Sequence, residues 1–309
     1  MQVVNILLPV FVFISAGVFI KRSGFLSDAF FKEANKLIFY VGLPSFLFVK
    51  ISSSSYSFED TFKITLILIL VMILTIVFAY LFVKYFTVLP EDVSAYVQIA
   101  FRGNTALIGL PIIAYSAIVL KDEVLLKNAV LSLAPAIPIW NMVSIILLNK
   151  DSVKTSTLDT RKAFIKQIIL NPLVISCVLG LLFSVANIAL PQFVEFSLTR
   201  LGQMTLPLAL IAIGAGLQFR KNDNVKVAIT SSIIKVFIAP VLALLLCWAL
   251  GLSRTQIFTA LIFCASPAAI SIYVMTQELR GNYKLAGDGI VYSTVLSVIP
   301  LSAIIYFFC

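Results

Sequence analysis

Arg102-Gly103-Asn104-Thr105-Ala106-Leu107-Ile108-Gly109-Leu110-Pro111 lies inside one long apolar run, Tyr96 to Leu120, yet carries a charge, an amide, two glycines and a proline. Pro111 removes a backbone N–H, and its ring clashes with the carbonyl four residues back, at Leu107. In a bilayer, freed backbone groups must be satisfied by protein or by a water-lined cavity. A broken helix with an amide at mid-depth therefore reads as a site for something polar. The competing reading is a tolerated proline kink. A comparable interruption in the second half of the chain, Cys264-Ala265-Ser266-Pro267-Ala268-Ala269, favours the site.

Composition sets the class. Of 309 residues, 61% are hydrophobic and 12% charged, and the mean hydropathy is +1.06. Soluble domains carry about 25% charged residues, so the chain reads as an all-α integral membrane protein. A spanning helix needs ~20 mostly apolar residues. Ten segments qualify: Val3–Ile20, Asn35–Ile51, Phe62–Val83, Tyr96–Leu120 and Val124–Leu148, then Ile168–Ile188, Leu198–Phe219, Val227–Leu250, Gln256–Gln277 and Leu285–Phe308. The first shows neither a basic n-region nor a small-residue cleavage site and is expected to be a retained helix. The net charge of +9 forms no basic stripe with interleaved aromatics, which argues against a nucleic-acid partner. Cys177, Cys247, Cys264 and Cys309 are scattered through apolar segments, at spacings that fit neither a metal site nor a disulfide framework.

Charge also orients the chain. Fifteen of the 23 Lys and Arg residues fall in loops after odd-numbered segments, among them Lys154, Arg161, Lys162 and Lys166. Six fall after even-numbered ones, and Arg102 and Lys235 lie within segments. By the positive-inside rule both termini are expected outside. The longest loop divides the chain into a first half (1–149), a cytoplasmic connection (150–167) and a second half (168–309). Five spans per half force opposite orientations, so any repeat is inverted. The punctuation agrees: Pro44 in segment two answers Pro207 in segment seven, and Pro111 in segment four answers Pro267 in segment nine.

Interrupted segments at matching places in two halves point to a transporter's binding site. Half-helix N-termini there present free N–H groups and positive dipole ends, which suit a carboxylate. Gly103, Asn104 and Thr105 contribute from one break, and Ser266, Pro267, Ala268 and Ser271 from the other. Arg102 has two readings, an anion attractor in the vestibule or a cation snorkelling at the interface. Lys235, within segment eight, is costly in a bilayer and calls for an interior partner. Asp288 is one such partner, or a proton carrier, unless segment ten begins after it. Other acids, such as Glu59, Asp60, Glu91, Asp92 and Glu278, read as solvated segment ends.

The absences exclude whole classes. With no histidine, Ser-His dyads, HExxH zinc sites and His-ligated haem fall away. Gly287-Asp288-Gly289 is not the GxGD of membrane aspartyl proteases, and no phosphate-binding GxxxxGK[ST] loop exists. Neither enzyme activity nor a catalytic residue, cofactor or metal is expected, and uphill transport would draw on an ion gradient.

The motifs resemble the auxin efflux carrier (PIN-like) family, in its bacterial branch. Asn104 through Gly109 to Pro111 is similar to that family's fourth-helix motif. Asn35-Lys36-Leu37 with Leu43-Pro44 resembles its second helix, Asn171-Pro172-Leu173 the opening of its sixth, and Pro207 through Gly214 its seventh. Lys235, five residues before Pro240, and Ser266-Pro267-Ala268 continuing to Glu278 resemble its eighth and ninth. The resemblance implies two inverted five-helix repeats, akin to bile-acid sodium symporters, with proline-broken helices four and nine crossing at the substrate. It implies elevator-type movement of organic anions, auxin in plants or dicarboxylates such as malate or malonate in bacteria. Ile270 and Ser271 stand where many bacterial relatives carry an asparagine, which makes the second half-site less polar. The expected partners are a small organic anion, a coupling proton or sodium ion, the lipid bilayer and a second copy in a homodimer, at a bacterial inner membrane. The alternative of a sodium symporter of the bile-acid type needs oxygen-rich ion sites that helices four and nine do not supply.

Overall fold

The computed structural model describes residues 2–52, 58–85, 88–149, 170–217, 225–278 and 281–308. Among these the chain is helical, and its one β-type contact is an isolated antiparallel bridge. We number the helices α1 (Gln2–Arg22), α2 (Asp28–Ser52), α3 (Phe58–Tyr85), α4 (Pro90–Phe101), α5 (Thr105–Leu120) and α6 (Glu123–Asn149). Then follow α7 (Pro172–Val185), α8 (Gln192–Gly216), α9 (Val225–Ala249), α10 (Arg254–Ala265), α11 (Ser271–Glu278) and α12 (Tyr283–Phe308). Among the described residues seven helices are long and apolar enough to cross a membrane, and α5, α7 and α10 are shorter apolar helices. The expected cytoplasmic connection, 150–167, lies outside the described residues.

Local chemistry sets the helix starts. Ser27 caps α2 through the amide of Phe30. Asn171 caps α7, accepting from the Leu173 amide at 2.9 Å, with Pro172 in the first turn, where its missing N–H costs nothing. Ser253 and Gln256 close a capping box on α10.

Three prolines leave a shared mark. Pro44, Pro111 and Pro240 each follow a π-turn, at Ile38–Gly42, Thr105–Gly109 and Ile234–Ile238 respectively. In each case the residue before proline donates five residues back, Leu43 to Ile38, Leu110 to Thr105 and Ala239 to Ile234. The wider turn moves the carbonyl that the proline ring would strike. Pro207, by contrast, sits inside an α-helix that runs on through it.

The expected break at Pro111 is therefore corrected. The chain leaves helical geometry earlier, at Arg102–Asn104 between α4 and α5, whereas Pro111 lies in the first regular turn after a π-turn. The second break, Ser266–Ile270, does contain Pro267. Segment four also begins earlier than read, at Pro90. Asp92, expected in solvent, is consequently buried in the first turn of α4, where it accepts from Asn282 Nδ2 at 2.6 Å.

The helices pack in two groups. Helix α1 runs along α8, and α2 packs on both α7 and α8. The α1–α8 contact is backbone-close, since a Cβ on Gly17 would meet the Ile211 carbonyl and one on Gly214 the Ile14 carbonyl. Helices α3 to α6 and α9 to α12 form the second group, which touches the first mainly where α1 meets α5 and α12 and where α2 meets α6. Large apolar side chains such as Phe19, Leu81, Val178, Val241, Trp248 and Ile299 face outward. Apolar surface on this scale fits helices immersed in lipid.

Candidate functional site

The two breaks meet at the centre of the second group. The Asn104 amide donates to the Pro267 carbonyl at 2.7 Å, and the Ala269 amide donates to the Arg102 carbonyl at 3.0 Å. These bonds form the antiparallel bridge between Gly103 and Ala268. The interruptions thus satisfy much of each other's freed backbone, as a low-dielectric setting demands. Ser293 Oγ accepts the Ala268 amide at 2.9 Å. Helices α4 and α10 end at this junction, and α5 and α11 begin at it.

Beside the junction, between the two helix groups, lies a cavity of about 360 Å³. Ligand sites commonly span about 300–1,000 Å³. One wall comes from the first group, with Asn35, Ile38, Phe39 and Leu43 of α2 and Leu173 of α7. The other comes from Arg102 through Leu107, from Ile137, Trp140 and Asn141 of α6, and from Ala269, Ile270 and Ser271.

Its polar groups are mostly donors. Arg102, only 7% exposed, donates to Asn141 Oδ1 and lies against Met275 Sδ. Asn104 Nδ2 and Trp140 Nε1 are buried N–H donors without a partner among the described residues. Of the first-turn amides, that of Ile108 in α5 donates to the Asn104 carbonyl, and those of Ile272 and Tyr273 in α11 donate to the Ala269 and Ile270 carbonyls. The earliest amides, at Thr105, Ala106 and Ser271, belong to cavity-lining residues and have no backbone acceptor among the described residues. Among the described residues, none that lines the cavity is Asp or Glu. Among the described residues no carboxylate forms an ion pair with Arg102. Several kcal/mol oppose burying an unpaired ion, so this cavity favours an anion. The rest of the wall is apolar and suits a hydrocarbon body.

The sequence-derived site residues separate into two sets. Arg102, Gly103, Asn104, Thr105 and Ser271 line the cavity, joined by Asn35 from the stretch that resembles the family's second helix. Pro111, Ser266, Pro267 and Ala268 are buried but are not cavity-lining residues. Ser266 Oγ instead donates to the Ile262 carbonyl at 2.8 Å. Gly109 packs against it: an added Cβ would stand 2.6 Å from Ser266 Oγ and 2.9 Å from Phe263 Cδ1. Arg102, read as entering segment four, sits instead at the break itself. Lys235, 3% exposed, donates from Nζ to the Cys264 carbonyl at 2.6 Å and is not among the cavity-lining residues. Asp288 lies in the second turn of α12 and is 4% exposed, so the helix does not begin after it.

A family model described as membrane transport protein matches residues 2–305. The chain belongs to this family. It is the auxin efflux carrier family that the motifs resembled, a family of membrane transporters and not of enzymes. Full-length similarity extends to a protein described as an uncharacterized transporter of Methanocaldococcus jannaschii. That protein is 22% identical over 305 residues, with 96% of each chain covered. The cavity accordingly belongs to a multi-pass membrane transport protein.

Two residues with polar side-chain groups in this transporter's cavity, Trp140 and Asn141, are not singled out by the sequence. The available signal was an amide beside an indole in an apolar helix that also carries Pro135 and Pro138.

Proposed function

We propose that the protein is a secondary active transporter of a small organic anion, a mono- or dicarboxylate, coupled to a proton or sodium gradient. The observation that carries this reading is the buried Arg102 guanidinium in a cavity with no acid among its described lining residues. Arg102 would hold the carboxylate by charge-assisted bonds, with Asn104 Nδ2 and the backbone amides of Thr105, Ala106 and Ser271 as further donors. Ile38, Phe39, Leu107 and Ile137 would enclose the hydrocarbon part.

An elevator-type cycle is supported by the way the cavity is divided. Most of the donors belong to the second helix group, while α2, with Asn35, and α7 close the opposite wall. Sliding the second group against the first would carry the anion across with its contacts intact. In this proposal ten spans form two inverted repeats, 1–149 and 168–309, joined on the cytoplasmic side by 150–167. The antiparallel pairing of Gly103 with Ala268 supports opposite directions for the two broken segments. Both termini then lie outside, in the periplasm of a bacterial inner membrane, and two copies form a homodimer.

Thermal unfolding of purified protein against a panel of small carboxylates tests the binding step. A ligand at 100 times its dissociation constant adds about 2.7 kcal/mol to the native state. Carboxylates should raise the midpoint while matched amines and neutral amides do not. Stabilisation by amines alone, or by nothing in the panel, would remove the proposal.

A further inference from the structure

Helices α4 and α10 both end at the junction, and a helix C-terminus carries roughly half a negative charge on its unsatisfied carbonyls. Water does not neutralise these ends. Ala95 to Phe101 and Ile257 to Ala265 are buried throughout, mostly to a few per cent exposure or less. In ion-coupled transporters, unwound backbone carbonyls and half-helix C-terminal ends of this kind coordinate the driving cation. Here the space holds a side chain. The Lys235 ammonium donates to the Cys264 carbonyl at 2.6 Å. Its Cε and Nζ stand 2.9 and 3.0 Å from the point a Cβ on Gly103 would occupy, with the Phe263 carbonyl 3.4 Å from that point. Gly103 therefore leaves the room that the lysine fills. Lys235 itself sits in the π-turn that Pro240 imposes on α9. Among the described residues no carboxylate forms an ion pair with it.

We infer that Lys235 is a resident cation, tethered where a free monovalent ion would otherwise bind, so that this junction is complete without sodium. The inference refines the role of Lys235 within the transport reading, but its test needs no substrate and so can fail independently of that reading.

Thermal unfolding of the purified full-length protein is compared in chloride salts of sodium, potassium, choline and propylammonium at equal ionic strength. Wild type should melt at the same temperature in all four. Lys235→Ala should melt several degrees lower in choline and recover most of the loss in propylammonium or sodium, which can enter the vacated space. Lys235→Gln keeps the length without the charge and should stay destabilised in every salt. It also serves if the alanine variant does not fold. The inference is overturned if sodium selectively stabilises wild type, if Lys235→Gln matches wild type in choline, or if no small cation restores Lys235→Ala.

Discussion

The Asn104 amide donates to the Pro267 carbonyl across 2.7 Å, joining two helix breaks that lie more than half the chain apart in sequence. This bond and its neighbour from Ala269 to Arg102 hold the two interruptions to each other. The donors beside them then face a cavity rather than one another.

Arg102→Gln removes the charge and keeps a donor. A hydrogen bond to a charged group contributes about 1.5–3 kcal/mol, so carboxylate affinity should fall roughly ten- to a hundredfold. Isothermal titration in detergent measures this. Arg102→Lys should recover part of the loss, because charge is restored without the planar fork.

Asn104→Ala separates binding from stability. Its Nδ2 has no partner among the described residues, so the unliganded melting temperature should hold or rise slightly. Anion affinity should drop roughly tenfold or more, the loss of one hydrogen bond to a charged acceptor, about 1.5–3 kcal/mol. A large fall in the unliganded melting temperature would mean that the amide is structural.

Gly109 lies where α5 meets the end of α10, so Gly109→Val drives carbon into Ser266 and Phe263. Overpacking of this kind costs about 1–3 kcal/mol. The melting temperature should fall, and Gly109→Ala should fall less.

Asn171→Ala deletes the cap on α7 and should cost about 1 kcal/mol. Carboxylate affinity should change little, because Asn171 is not part of the cavity wall. Melting temperature and titration read the two effects separately.

Much of this site was legible because polar and helix-breaking residues are conspicuous in apolar runs. Asn104, Pro267 and Lys235 stood out for that reason, and the all-helical membrane class followed from composition. Other features depend on three dimensions. Hydropathy placed the start of segment four at Tyr96, which left Asp92 in solvent and Arg102 near an entrance. The helix begins at Pro90, so Asp92 is buried and Arg102 falls at the break. Pro111 announced an interruption, but a π-turn absorbs its strain and the extended residues lie upstream. Asn141 and Trp140 carry no local signal of convergence; α6 brings them to Arg102 through packing.

The most direct test of the account is transport in proteoliposomes. Wild-type protein should move a labelled small carboxylate under an imposed proton or sodium gradient, and Asn104→Ala and Arg102→Gln should be slowed in proportion to their lost affinity. If wild type moves no carboxylate under either gradient, the account of this cavity as an organic-anion site is contradicted.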